Sequence, residues 1–325
     1  MFRACDEAAN ILQSGGSALD ATQKAISVLE DDPNTNAGVG SNLNREGDVE
    51  CDASIMCGST GAFGGVSAVK RIKNPICAAH KLLEGDREGP GKLGLVPPMM
   101  LVGRGAEEWA SIRSIKMCDN TELITDTSKA QYETFIKMLE EEQNPTFSSQ
   151  KDPGESLLND TVGAVCLDIN GNIASGVSSG GVAIKLPGRV GEAAIYGSGC
   201  WAGGDYVDMD HYISGCSLTG TGEQITKTLL AKSIFDVSVQ NDDLYTSISR
   251  LLTKHFINNR ALSKYTDKYM GFGTVRCKKT DSRISELEIL VAYSTPSMAY
   301  GYMTDRLSKP KPAKVQRKIQ KTRYQ

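Results

Sequence analysis

Residues 160–181 read DTVGAVCLDINGNIASGVSSGG, and the rest of the chain can be organised around them. Two β-rich runs, 162–169 and 172–177, flank Asn170-Gly171. An Asn-Gly pair between strand patterns predicts a tight hairpin, because both residues tolerate a positive φ. Thr161 then stands at the first residue of a strand. The preceding stretch, NPTFSSQKDPGESLLND (residues 144–160), is rich in turn formers and predicts a mobile loop. A flexible segment ending at a rigid strand presents the bond between Asp160 and Thr161 for cleavage.

Outward from this hairpin, the chain opens with helical spacing and no strand. Ala4, Ala8, Ile11 and Leu12 predict one helix, stopped by Gly15-Gly16. Ser17, with Asp20 three residues on, caps a second that carries Ala21, Ala25, Val28 and Leu29. A strand is expected over 49–56, a helix after Asn74-Pro75, a short strand over 99–102 and an exposed helix over 129–142. Helices over 224–235 and 244–258 precede a strand at 286–294. Helices followed by strands, in two blocks, predict a layered α/β fold with antiparallel pairing.

Composition narrows the class. The chain has 325 residues, 40% hydrophobic and 23% charged, which is ordinary for a folded protein of one large domain or two. No apolar run reaches the roughly 18–20 residues of a membrane span. The opening MFRACDEAAN is charged and predicts no signal peptide. Nine cysteines without a CxxC pair predict free thiols in a reducing compartment, not a disulfide scaffold. His80, His211 and His255 stand apart from one another, so no zinc or other metal site is expected. Net charge is –3, yet residues 306–325 hold eight Lys/Arg and no acid. That tail is read as disordered and solvated, with a nuclear-import or nucleic-acid patch as the sharper alternative.

No GxSxG elbow, P-loop or HExxH is present. A threonine hydroxyl needs a base. The α-amine of Thr161, with an ordinary pKa of roughly 7.7–8.0, would serve once the bond to Asp160 is cut. Taken alone, Asp-Thr is equally an ordinary strand start.

Several stretches resemble the asparaginase-type N-terminal-nucleophile hydrolases. They are the run from 160 to 181, SSGGVAIKLPGRVGEAAIYGSGCWA (178–202), NAGVGSNLNREGDVECDASIM (36–56), IKNP (72–75) and LTGTGE (218–223). Val96-Pro97-Pro98, GCWA and SMAYGYM (297–303) resemble the threonine-aspartase (taspase) branch. The resemblance covers roughly residues 3–305. It implies a four-layer αββα sandwich built from one precursor, cut into an α chain, 1–160, and a β chain, 161–325, that stay paired. Dimers of such pairs are a further expectation.

The resemblance also implies roles. Thr161 matches the nucleophile freed when its hydroxyl attacks the Asp160 carbonyl and water hydrolyses the resulting ester. Ser179 matches a second hydroxyl beside it. Arg189 matches the arginine that grips a substrate carboxylate with its guanidinium fork. Thr219 and Gly220 match the oxyanion donors. Asn36 matches an asparagine that supports processing. On the residues alone each has a plainer structural explanation: a Gly turn for Ser179, a surface ion pair for Arg189, a turn for Thr219-Gly220.

Two departures stand out. Small-substrate members carry GRVGD, whose aspartate holds a free α-ammonium; here the position is Glu192, which suits an aspartate in mid-chain. The family also opens with a strand before the first helix, and here Met1 leads directly into the helix. An unpaired strand edge beside the active site is then expected. The resemblance to the threonine-aspartase branch therefore implies a cofactor-free threonine endopeptidase, nuclear and cytoplasmic, that cleaves proteins after an internal aspartate, with nuclear transcription regulators as substrates. Its alternatives are an isoaspartyl peptidase/L-asparaginase and a truncated, non-catalytic member. Membrane and nucleic-acid partners are not expected.

Overall fold

The computed structural model describes residues 1–142, 161–204, 212–280 and 283–316. Asp160, the loop 143–160, His211 and residues 317–325 of the basic tail lie outside them.

Helix α1 (Phe2–Gln13) and helix α2 (Ala18–Glu30) open the chain. Ser17 Oγ accepts from the Asp20 amide at 3.1 Å, the expected cap. Strands β1 (Cys51–Cys57) and β2 (Phe63–Val69) form a hairpin, followed by helix α3 (Pro75–Glu88), which has proline in its first turn. Then come β3 (Met100–Val102), α4 (Gly103–Ser111) and α5 (Asp126–Glu142). The predicted hairpin is β4 (Val162–Leu167) and β5 (Ile173–Ser179), antiparallel in register from Val162↔Ser178 to Leu167↔Ile173. Its connection, 168–172, is longer than the Asn-Gly pair, of which only Gly171 has a positive φ, +78°.

β6 (Cys200–Gly204) and β7 (Tyr212–Gly220) lead into α6 (Gly222–Thr228), α7 (Leu230–Gln240) and α8 (Leu244–Leu251). β8 (Met270–Thr280), β9 (Arg283–Tyr293), β10 (Ser297–Tyr302) and β11 (Lys311–Gln316) follow.

The strands make a five-stranded sheet, β3-β2-β1-β5-β4, and a four-stranded sheet, β6-β7-β8-β9. Residue alternation along each strand fixes what each face meets. On β1, Cys51, Ala53, Ile55 and Cys57 join the apolar cluster under α2 and α3, while Met56 joins the cluster shared with β6, β7 and α7. On β4, Val162 and Cys166 face the helices, while Gly163 faces Ser217 of β7. The second cluster continues to Ile234 of α7 and Leu244 and Ile248 of α8. The chain is thus a mixed α/β fold in which two sheets meet and helices flank them.

The sequence reading did not anticipate β6, β7 and β8, and α8 ends at Leu251, short of the expected 258. Three further features depart from it. β2 was not expected, because Gly64-Gly65 weaken a strand pattern. Gly64 is required by tertiary contact: a Cβ there would overlap the Ala79 carbonyl oxygen of α3. The helix expected over 224–235 breaks at Leu229, whose φ of +44° is left-handed. The break lets α6 run beside Glu192 while α7 packs on β6 and β7. The tail expected to be disordered from 306 is ordered through β11, which pairs with β10 from Ser297↔Gln316 to Tyr302↔Lys311. No disulfide joins the nine cysteines among the described residues.

Candidate active site

The strand register builds the site. Val162 pairs with Ser178, so the next positions outward are Thr161 and Ser179. By alternation both project between the two sheets, on the side where Ser175 Oγ donates to the Cys216 carbonyl of β7 at 2.7 Å. Their hydroxyl oxygens are 2.8 Å apart. Ser179 Oγ also accepts the Gly181 amide at 3.0 Å. With that acceptor position filled, the Ser179 proton remains available to Thr161.

Asn36 holds the turn after Ser179. Its Nδ2 donates to the Gly181 carbonyl at 2.8 Å, and its backbone oxygen accepts the Gly180 amide at 2.8 Å. Asn42 adds a second 2.8 Å bond to the same Gly181 oxygen, and its amide donates to Asn36 Oδ1. Asn36 is 4% exposed and spends its side chain on this scaffold.

Arg189 reaches the same turn from the other side. A Cβ on Gly181 would lie 3.0 Å from Arg189 Nη1 and 3.2 Å from Lys185 Nζ. Gly181 has φ +71°, so glycine also suits its backbone. Arg189 Nε and Nη2 donate to the two carboxylate oxygens of Glu223 at 2.8 and 2.7 Å. Burial opposes the Arg189 charge, but the Glu223 hydrogen bonds and the carboxylates of Glu223, Glu192 and Asp52 outweigh it and raise its pKa. The same bonds hold the Glu223 carboxyl below the usual range.

Glu192 is 3% exposed. A Cβ on Gly222 would lie 2.5 Å from Glu192 Oε2 and 2.7 Å from Arg189 Nη2, so Glu192, Arg189 and the start of α6 converge. Burial raises the Glu192 pKa to about 7, against the lowering effect of its own backbone amide and of Arg189; Asp52 and Glu223 add to the rise. Asp52 supports this cluster from beneath. It accepts the Gly191 amide at 2.8 Å, the Ser67 hydroxyl and the Ala68 amide. Thr219 and Gly220 end β7, two residues before Gly222. Thr219 shares the β7 face of Ser217, whose hydroxyl donates to the Gly176 carbonyl of β5, so it too looks toward the first sheet.

Thr161, Ser179 and Asn36 are thus joined by hydrogen bonds around Gly181, and Arg189 closes on the same glycine. Glu192 joins through Arg189 and Gly222. Asp160 lies outside the described residues. The sequence reading missed Glu223, Asp52, Asn42 and Lys185 as members of this site. All four sit in or beside quoted stretches, but an arginine and its carboxylate partner 34 positions away carry no local signal. Of the histidines, His255 Nε2 lies 2.7 Å from the Thr228 carbonyl and His80 pairs with Gln23, so both described rings are used in packing.

A family model described as Asparaginase matches residues 1–260. The chain belongs to the asparaginase family. Membership places the chain among hydrolases. Proteins named isoaspartyl peptidase/L-asparaginase are similar to it in cattle, at 41% identity over 232 residues, and in human, at 40% over 232 residues. Each match covers 71% of this chain and 67% of the relative. The Escherichia coli isoaspartyl peptidase is 34% identical over 224 residues, 69% of this chain and 64% of its own. The chain therefore spans about two-thirds of the length of these relatives. The asparaginase resemblance holds, whereas these names match the alternative reading, isoaspartyl peptidase/L-asparaginase, and not the threonine-aspartase branch.

Proposed function

We propose that this chain is a self-cleaving N-terminal-nucleophile hydrolase acting on β-aspartyl peptides or L-asparagine. The carrying observation is the 2.8 Å contact between Thr161 and Ser179 beside the Gly181 turn that Arg189 closes. The stacking of helices, sheet, sheet and helices is read as the four-layer αββα sandwich. Cleavage between Asp160 and Thr161 gives an α chain and a β chain. These stay together because β1 of the α chain pairs with β5 of the β chain from Asp52↔Ser179 to Cys57↔Ala174.

In the uncut chain the Thr161 nitrogen is a peptide amide and cannot act as a base. Once freed, it takes the proton from Thr161 Oγ1 as that oxygen attacks the substrate's side-chain carbonyl. Ser179 holds the attacking oxygen in place. Arg189 binds the substrate α-carboxylate and Glu192 its α-ammonium. Thr219 and Gly220 stabilise the oxyanion, an effect on the order of several kcal/mol. The proton then passes to the leaving nitrogen, ammonia or an amine departs, and water hydrolyses the Thr161 ester. Glu192 keeps the negative charge that a free ammonium requires, which supports small substrates over an aspartate within a protein chain.

The test is turnover of β-aspartyl dipeptides and ammonia release from L-asparagine by protein whose cut has been verified by intact mass. Cleavage of an internal Asp-Gly site in a peptide, with no action on either small substrate, would restore the endopeptidase reading. No turnover of any of the three would sink the enzymatic reading.

A further inference from the structure

The Arg189 guanidinium has two edges, and they face different ways. Nε and Nη2 donate to Glu223, while Nη1 makes no hydrogen bond among the described residues. Nη1 lies between Gly191 and Gly181, where an added Cβ would be 2.9 and 3.0 Å from it; the Gly181 amide bonds Ser179 Oγ, which in turn meets Thr161. The partner on the occupied edge is half-exposed: the Glu223 side chain is 47% exposed and that of Arg189 14%. Glu223 also follows Thr219-Gly220 by three residues on the same continuous segment, and Gly222 between them abuts Arg189 Nη2.

We propose that Glu223 is a positioning residue that locks the Arg189 fork so that Nη1 faces a substrate carboxylate on the Thr161 side. It rests on the role given to Arg189 under the proposed function. Glu223 does not touch the substrate. A long arginine fixed in one rotamer before binding has no ordering cost left to meet when the ligand arrives. The fork geometry makes the constraint directional, because two parallel N–H···O bonds fix the guanidinium plane as well as its position. The competing role, a carboxylate that occupies the substrate's own place and must leave, requires Glu223 on Nη1. Glu223 is instead bonded to Nε and Nη2.

The experiment compares wild type, Glu223→Ala and Glu223→Gln as full chains. It reads KM and kcat for a β-aspartyl dipeptide, the Kd of L-aspartate by calorimetry, intact mass and the unfolding midpoint. Glu223→Ala is expected to raise KM and Kd about tenfold or more with kcat held within about threefold, as for loss of a charged hydrogen-bond partner. Glu223→Gln, which keeps the shape and one acceptor, should fall between. A fall in KM and Kd would show a displaced competitor and overturn the proposal. Unchanged values in both variants, or a loss in kcat alone, would overturn it as well. Wild type that binds L-aspartate without turnover would refute the proposed function while the Kd comparison still decides the role of Glu223. Wild type that neither binds nor turns over would overturn both.

Discussion

Thr161 and Ser179 face each other across an antiparallel strand pair with their hydroxyl oxygens 2.8 Å apart, although 18 positions separate them in the chain. The hairpin register brings them together, and the Gly181 amide orients Ser179 from behind.

If Thr161 is the nucleophile of self-cleavage, wild-type protein gives two masses with a break before residue 161. Thr161→Ala gives one. Two fragments from the alanine variant would point to an outside protease.

Ser179→Ala removes the only side chain that hydrogen-bonds Thr161 Oγ1 among the described residues. The expected loss in kcat is about 10–100-fold, the worth of one hydrogen bond to a group gaining charge, with little change in KM. Kinetics on protein already cleaved would separate this from a processing defect. An unchanged kcat would remove Ser179 from the mechanism.

Glu192 has its pKa raised to about 7 by burial, so its carboxyl is neutral below that pH and charged above it. A substrate ammonium needs the charged form. KM for a β-aspartyl dipeptide should therefore rise as pH falls from 8 to 6, and Glu192→Gln should flatten that rise while raising KM at pH 8. The Thr161 amine titrates in kcat and should keep its limb in the variant. A pH-independent KM in wild type would exclude Glu192 from ammonium binding.

Gly181→Ala places a methyl 3.0 Å from Arg189 Nη1 and forces alanine to φ +71°, a strain of roughly 1–2 kcal/mol. Substrate affinity should drop more than stability does. Calorimetric titration with L-aspartate beside a thermal melt checks this; equal affinity would mean that the space above Gly181 is not used.

Glu30, at the end of α2, accepts from the Ile76 amide at 3.0 Å and the Ser178 hydroxyl at 2.7 Å, while its Oε2 has no partner. Burial raises its pKa to about 8, against those hydrogen bonds. The folded-state value exceeds that of an exposed glutamate. Its contribution to stability is thus full below the ordinary carboxylate range and is lost as pH rises through about 8, by an amount on the order of a few kcal/mol. Glu30→Gln should lose less stability than wild type between pH 6 and 9. Parallel melting curves would contradict this.

The sequence by itself determined the local pieces. Asn170-Gly171 set the β4–β5 hairpin, Ser17 and Pro75 opened α2 and α3, and the motif stretches marked Thr161, Ser179, Arg189 and Glu192. These signals are local because turn, cap and strand preferences act within a few residues. β2 was illegible, since its two glycines answer to the α3 backbone and not to strand propensity. β10 and β11 were likewise hidden, as the basic, proline-bearing stretch of β11 carries no strand alternation of its own and gains order by pairing with β10. The tertiary structure alone decided that Glu223 holds Arg189, that Asn36 and Asn42 meet on the Gly181 carbonyl, and that Glu192 is buried deeply enough to titrate near neutrality. Charge pairing and desolvation depend on which distant segments share a volume, and only the packed sheets fix that.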